Sequence, residues 1–263
     1  MQWQKTMKRR MDMRVIISPA KKMRVDRDSF PVRDLPLLLP KAEILVERLR
    51  SMSYEELKAL WKCNDSIAAL NIERLQSMDL RHRLTPAILS YDGIQYQYMA
   101  PSVFTAEELE YVQGCLRILS GLYGVLHPFD GVTPYRLEMQ ARFSKYEMKD
   151  LYSYWGSSIA EAIWEETDCI INLASKEYSQ CVSRYLPPKK RLVTCVFGER
   201  KSGKIIEKGT LCKMARGEMV RYMAERQAEN PDDLRDFGRL GYRFSKEESS
   251  PSVYVFLKAE TCT

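Results

Sequence analysis

The stretch LRILSGLYGVLHPFDGVTPYRLEM, residues 116–139, holds the densest chemistry of the chain. Its opening apolar run predicts a short helix, and Pro128 and Pro134 end a second apolar piece. Gly121 and Gly124 allow a positive φ and leave the backbone bare, so N–H groups between two helices could meet a phosphate or another anion. The alternative is a helix end followed by a proline-rich turn.

Directly after this turn, Tyr135, Arg136 and Glu138 place an aromatic ring, a cation and a carboxylate within four positions. Loops held by a rigid scaffold are where binding and catalytic side chains concentrate. We therefore treat residues 135–138 as part of a candidate site.

Two predicted buried strands are each followed by a similar polar segment at the carboxyl end. The run RVIIS ends in Ser18-Pro-Ala-Lys21-Lys22, and the run CIINL, after Asp168, is followed by Ala-Ser175-Lys-Glu177-Tyr. Ligands of open α/β sheets gather outside the carboxyl ends of strands. If the two exits converge, they form one polar pocket; otherwise Ser18 caps a turn and the lysines are solvated.

Periodicity and capping residues predict the remaining elements. Helices are predicted at 41–50, from Ser53, at 65–78, 105–113, 150–166 and 209–229; strands at 192–197, 204–207, 241–245 and 253–257; and an edge strand or a helix start at 91–99. Lys213, Arg216 and Gly217 share one flank of the last helix. The pattern predicts one mixed α/β domain, residues 13–263, with a central mixed sheet flanked by helices.

Composition narrows the classes of function. The formal net charge of +6 permits a polyanionic partner without requiring one, and no run is long and apolar enough to cross a membrane. Seven scattered cysteines and two histidines argue against a disulfide framework and a metal centre, and they favour a reducing cytosol. Residues 1–12 are basic and read as a disordered tail or as the product of an upstream start, with Met11 or Met13 as alternatives to Met1.

Several long motifs occur in an order typical of one family. LSGLYGVLHPFD and PYRLEM in the stretch quoted above, SPAK at 18–21, DLYSYWG at 150–156, INLASKEY at 171–178 and ARG at 215–217 together closely resemble the YaaA family of bacterial peroxide-stress proteins. The resemblance extends from near the start to the last quarter of the chain.

The resemblance implies a cytoplasmic protein of the peroxide response. It also implies binding to double-stranded or branched DNA through a helix–hairpin–helix element in a mixed α/β fold. Residues 116 to about 129 are the candidate element, and binding would be independent of base sequence. The anion-binding candidates are Lys21, Lys22, Gly121, Tyr123, Gly124, Arg136, Ser175, Lys213 and Arg216.

The second hypothesis is an enzyme acting on a nucleotide-like or phosphorylated small molecule. Carboxylates repel phosphates, so a surface that only binds DNA has no need of them. Acid–base catalysis does need them, and the catalytic candidates are Ser18, Lys21, Glu138 and Glu177. Tyr135, Arg136, Asn172, Ser175, Lys213 and Arg216 would complete the cleft.

A third hypothesis is direct iron binding, which the two histidines and the scattered acidic residues support least. We therefore expect no metal and no cofactor. We also expect a monomer.

Overall fold

The computed structural model describes residues 13–143 and 148–259. The predicted basic tail, residues 1–12, and Cys262 lie outside the described residues.

Three helices follow one another after the first two strands, and helices and strands are interspersed along the rest of the chain. The helices are α1 (Leu39–Arg50), α2 (Tyr54–Trp61), α3 (Asp65–Gln76), α4 (Ala87–Ser90), α5 (Ile94–Met99), α6 (Ala106–Cys115), α7 (Leu151–Trp155), α8 (Ser158–Trp164), α9 (Lys176–Ser183) and α10 (Gly209–Arg226), with 3-10 turns at Pro101–Val103 and Pro231–Asp236. The strands are β1 (Met13–Ile17), β2 (Lys22–Met23), β3 (Thr85–Pro86), β4 (Tyr91–Asp92), β5 (Leu116–Ser120), β6 (Gly124–Leu126), β7 (Gly131–Val132), β8 (Cys169–Leu173), β9 (Arg191–Lys201), β10 (Lys204–Ile206), β11 (Tyr242–Phe244) and β12 (Val253–Lys258).

A mixed sheet in the order β11-β12-β9-β8-β1-β5-β6 forms the centre of the molecule, and β10 pairs with β9. The five strands β12, β9, β8, β1 and β5 run parallel, and β11, β10 and β6 are antiparallel to their neighbours. In β1, Val15, Ile16 and Ile17 are all at most 1% exposed. A parallel strand covered by helices on both faces needs this continuous apolar run. The predicted mixed sheet flanked by helices is therefore confirmed.

The segment predicted as the first helix of a helix–hairpin–helix element is a strand. Residues Leu116–Ser120 are all buried and form β5, which pairs with β1 in the register Val15↔Leu116. The chain then turns and returns as β6, antiparallel to β5. The prediction of a helix–hairpin–helix at 116–129 is wrong, because a five-residue apolar run suits a buried strand as well as a helix, and pairing with β1 decides between them.

Three predicted helix starts follow their capping residues. Ser53 and Thr105 form the two predicted capping boxes, with Glu56 and Glu108, and Asn64 caps α3. The predicted helix at 150–166 is instead two helices, α7 and α8, because Gly156 has a φ of 51° and interrupts the ladder. Residues 91–99 satisfy both alternatives, since the short strand β4 leads directly into α5.

No helix within the described ranges combines the length and the apolar character needed to cross a bilayer.

Candidate active site

Two strand exits meet at a pair of serines. The register of β1 and β8 pairs Ile17 with Leu173, so Ser18 and Ser175 leave the same edge of the sheet. The Ser175 N–H donates to Ser18 Oγ over 2.8 Å, and Ser18 Oγ donates to Ser175 Oγ over 3.1 Å. Tyr96 Oη donates to the Ser18 carbonyl over 3.0 Å. The predicted convergence of the two exits is therefore present.

A cavity of about 370 Å³ opens above this serine pair. It is lined by residues of five segments that are far apart in sequence. Those that the sequence singled out are Ser18, Lys21, Lys22, Tyr135, Arg136, Glu138, Ser175, Glu177, Lys213 and Arg216. The structure brings them together, and their roles in binding or catalysis stay predictions.

Glu138 is held by two cations on one wall. Its Oε2 lies 2.9 Å from Lys21 Nζ, and its Oε1 accepts a hydrogen bond of 3.2 Å from Arg136 Nη2. Only 19% of the Glu138 side chain and 13% of the Arg136 side chain are exposed. These two charge-assisted contacts hold the Glu138 side chain in place, and Glu138 in turn positions Lys21 beside the cavity.

Glu177, the second carboxylate, lies at the start of α9 and has a different environment. Its Oε1 accepts a hydrogen bond of 3.3 Å from the Gln140 N–H. Burial raises the pKa of Glu177 above its usual value, and the nearby charge of Glu138 raises it further. A glutamic acid whose pKa lies closer to neutrality can both accept and release a proton, as an acid–base catalyst must.

The hydroxyl of Tyr135 connects the cavity wall with the core. Tyr135 Oη lies 2.7 Å from Ser120 Oγ and 2.9 Å from Tyr91 Oη. Burial raises the pKa of Tyr135 to about 12, so the hydroxyl is neutral at neutral pH. The wall that carries Arg136 and Glu138 is thus fixed to β5 through Ser120.

The opposite wall is the contact between α5 and α10. Gly217 makes this contact possible, because a Cβ added there would lie 2.2 Å from the Gln95 carbonyl oxygen. Lys213 and Arg216, on the same flank of α10 as Gly217, line the cavity together with Gln95. Sequence reasoning does not single out Asp92, Gln95 and Tyr96 beside α5, or Tyr178 on α9, as lining residues, although the Asp92-Gly93 pair marks the turn into α5.

The residues Gly121, Tyr123 and Gly124 lie in the core and outside the cavity. The Gly121 carbonyl accepts a hydrogen bond of 3.1 Å from Trp155 Nε1, and Tyr123 Oη accepts one of 3.2 Å from the Thr133 N–H. Gly124 has a φ of 74°, which the turn into β6 requires. All three are buried, so they are incompatible with the predicted role, in which their N–H groups would face an anion in solvent.

Asn172, another predicted cleft residue, has a structural role. Its Oδ1 accepts from the Ala174 N–H over 2.9 Å, and its Nδ2 donates to Thr194 Oγ1 over 3.3 Å. It fixes the chain where β8 ends, two residues before Ser175. In the part of the chain that the structure describes, no group of three or more His, Cys, Asp or Glu side chains is arranged to hold a metal ion.

Residues 13–248 match the protein family described as "Peroxide stress protein YaaA". The chain is 55% identical over 249 residues to a UPF0246 protein of Lachnoclostridium phytofermentans, an alignment that covers 95% of this chain and 98% of the relative. It is 51% identical over 247 residues to the UPF0246 protein DSY0297 of Desulfitobacterium hafniense, covering 94% and 98%. A UPF0246 protein of Pediococcus pentosaceus is 47% identical over 248 residues, covering 94% and 99%.

Proposed function

Because this chain belongs to the peroxide stress protein YaaA family, we propose that it serves the oxidative stress response as an enzyme acting on a small phosphorylated or nucleotide-like molecule. The observation that carries the proposal is the cavity itself. It gathers Glu138, Glu177, Ser18 and several cations from five distant segments into one concave space. Its volume of about 370 Å³ lies in the range of about 300–1,000 Å³ typical of small-molecule sites.

The two carboxylates are suited to different roles. Glu138 is paired with Lys21 and Arg136, whereas burial raises the pKa of Glu177 and favours its neutral form. A buried carboxyl group with a raised pKa, close to a second carboxyl group in a different environment, is typical of acid–base sites. We assign proton transfer to Glu177, and the orientation of Lys21 and Arg136 to Glu138.

The first test is a search for ligands by thermal unfolding. We expect at least one nucleotide or sugar phosphate, in a panel tested at millimolar concentration, to raise the Tm of the wild-type protein. A ligand present at about 100 times its Kd stabilises by about 2.7 kcal/mol, which corresponds to several degrees. Lys21→Ala should reduce the shift.

Lys246→Ala is the matched control, since Lys246 is exposed on the loop before β12, outside the cavity lining. It should leave the shift unchanged. For a compound that the wild type converts, Glu177→Gln should retain binding and lower kcat by about 10²- to 10⁴-fold. The enzyme proposal fails if no phosphorylated compound binds, or if Glu177→Gln turns over at the wild-type rate.

Binding to double-stranded or branched DNA is the second candidate, and one observation favours it. The helices α2 and α3 are joined by only three residues, and the turn contains the exposed Lys62, whose φ is 45°. Backbone N–H groups in such a turn can contact phosphates without reading bases. The helix pair α2–α3 therefore replaces residues 116–129 as the candidate helix–hairpin–helix element.

A mobility-shift titration of a duplex and a four-way junction tests this candidate. Affinity should be independent of base sequence and fall by about 10³-fold or more between about 50 and 200 mM salt if six or more phosphates are contacted. Lys62→Glu should weaken binding, and Lys246→Glu should change it less. Undetectable binding at the lower salt concentration would remove DNA from consideration.

A further inference from the structure

Unpaired hydrogen-bond donors concentrate on the walls of the cavity. Five buried side-chain nitrogens of the described residues have no hydrogen-bond partner, and three of them belong to lining residues: Gln95 Nε2, Arg136 Nε and Arg216 Nε. A buried donor without a partner costs folding free energy, so native proteins retain few of them. All three groups donate, and the molecule that satisfies them must therefore supply acceptors.

Gln95 is the most informative of the three. The residue is 7% exposed, it lines the cavity, and its amide nitrogen is among the unpaired atoms. The backbone of Gln95 packs against Gly217, so its side chain starts beside Arg216. An apolar side chain would fill this position at a lower desolvation cost, which points to a function for the amide.

The charges of the lining match an anion with two negative charges. Lys21, Lys22, Arg136, Lys213 and Arg216 face Asp92, Glu138 and Glu177, which leaves two more cations than carboxylates. Glu138 is paired with Lys21 and Arg136 on the far wall. On the α10 wall, Arg216 has only a 3.7 Å contact with the half-exposed Glu207, and no ion pair of Lys213 is seen among the residues described. Lys22 lies opposite Asp92 in the register of β2 and β4, so within the lining the two cations that no carboxylate offsets are Lys213 and Arg216 on the α10 side.

We propose that Gln95, Lys213 and Arg216 form a phosphate subsite that binds the dianionic phosphate of a phosphomonoester and turns the rest of the molecule toward Ser18 and Glu177. Arg216 and Lys213 supply charge, as guanidinium and ammonium groups do in phosphate sites. The Gln95 amide donates a further hydrogen bond and makes the subsite selective for an oxyanion over an apolar group. This inference rests on the proposed small-molecule function, and it names the substrate class and the residue that selects it.

Titration with inorganic phosphate tests the subsite without a known substrate. Phosphate binding is followed by ³¹P line broadening and by the rise in Tm, with acetate and chloride as comparison anions. The wild type should bind phosphate more tightly than either anion. Arg216→Ala and Gln95→Leu should each weaken phosphate binding about tenfold, and Lys246→Ala should leave it unchanged.

The Tm without ligand separates a binding role of Gln95 from a structural one. Leucine removes the unpaired amide at a similar volume, so Gln95→Leu should keep or raise the Tm of the free protein while it loses phosphate affinity. If Gln95→Leu does not fold, Gln95→Met provides the same measurement with a more flexible side chain. A lower Tm with unchanged phosphate affinity shows a structural residue and overturns the proposal, as does a wild type that does not bind phosphate.

The outcomes also distinguish this inference from the proposed function. A wild type that binds phosphate through these residues but converts no phosphorylated compound supports the subsite and contradicts the enzyme. A wild type that converts a phosphomonoester while Gln95→Leu and Arg216→Ala keep its KM contradicts the subsite alone.

Discussion

At the scale of single residues, burial changes the acidity of three cysteine side chains. Burial raises the pKa of Cys115, Cys181 and Cys195 to about 12. The thiolate is the form that reacts with peroxide, and a thiol with this pKa is almost entirely protonated at neutral pH. We therefore expect these three side chains to remain thiols when the folded protein is exposed to millimolar hydrogen peroxide.

Mass spectrometry of peptides after peroxide treatment and thiol blocking measures this outcome. Protein unfolded in urea is the control, in which the same cysteines should oxidise. Rapid formation of sulfenic or sulfinic acid at any of the three in the folded protein would contradict the prediction and favour a thiol-based function.

Glu177 is a residue whose burial lowers the stability of the folded protein at neutral pH. Since burial raises its pKa in the folded state, its contribution to stability is complete below the usual value of 4.5 and is lost as the pH rises through the folded-state pKa. Glu177→Gln should therefore raise the Tm at pH 7 and have little effect near pH 4. Thermal unfolding at the two pH values checks this, with the exposed Glu161→Gln on α8 as control. A lower Tm of Glu177→Gln at pH 7 would show that the carboxylate stabilises the fold.

At the scale of elements, local side-chain chemistry predicts where a helix starts better than it predicts whether a segment is a helix or a strand. Ser53 and Thr105 mark helix starts because each satisfies N–H groups within its own first turn, a contact that the sequence specifies locally. The run at 116–120 has no such local determinant. Its identity as β5 depends on pairing with β1, about a hundred residues earlier, and no local pattern contains that information.

A close contact between elements requires a glycine at position 121. A Cβ at this position would lie 2.3 Å from the Leu137 carbonyl oxygen, in the segment that carries Arg136 and Glu138. Gly121→Ala must push that segment away, and we expect a loss of about 3 kcal/mol in the free energy of unfolding together with weaker ligand binding. Urea unfolding measures the loss.

Gly209→Ala is the matched control, because nothing lies within 4 Å of a Cβ built at Gly209, at the start of α10. Its free energy of unfolding should be unchanged or slightly higher. Equal stability of Gly121→Ala and the wild type would mean that the 135–138 segment shifts freely, and that the cavity wall is less rigid than its hydrogen bonds indicate.

For the whole molecule, the sequence predicts the half of the site that follows from sheet topology. Ser18 and Ser175 can be expected to meet, because the carboxyl ends of parallel strands share one edge. The contribution of Gln95 cannot be expected in this way. It requires the packing of α5 on α10, two helices more than a hundred residues apart, and that contact depends on the missing side chain of Gly217.

The opposite edge of the sheet contains an ion-pair cluster that joins the strand starts. Glu166, which precedes β8, accepts a hydrogen bond of 2.7 Å from Arg14 Nε in β1. It also accepts from Arg117 Nη2 and, over 3.3 Å, from Arg117 Nε in β5. The side chains of Arg14 and Arg117 are only 12% and 5% exposed, so the loss of Glu166 leaves two largely buried cations without this partner.

Glu166→Gln should therefore destabilise the protein by about 2 kcal/mol at pH 7, less than the full cost of a completely buried pair. Burial alone would raise the pKa of Glu166, but the hydrogen bonds and charges of Arg117 and Arg14 lower it below its usual value of 4.5. A lowered folded-state pKa contributes stability above the usual value, and this contribution is lost as the pH falls through the folded-state pKa. The deficit of Glu166→Gln should thus shrink as the pH falls below about 4. Urea unfolding at several pH values measures this trend, with Glu165→Gln at the exposed neighbouring position as the control. A loss of stability that is independent of pH would mean that shape rather than charge holds the strand starts together.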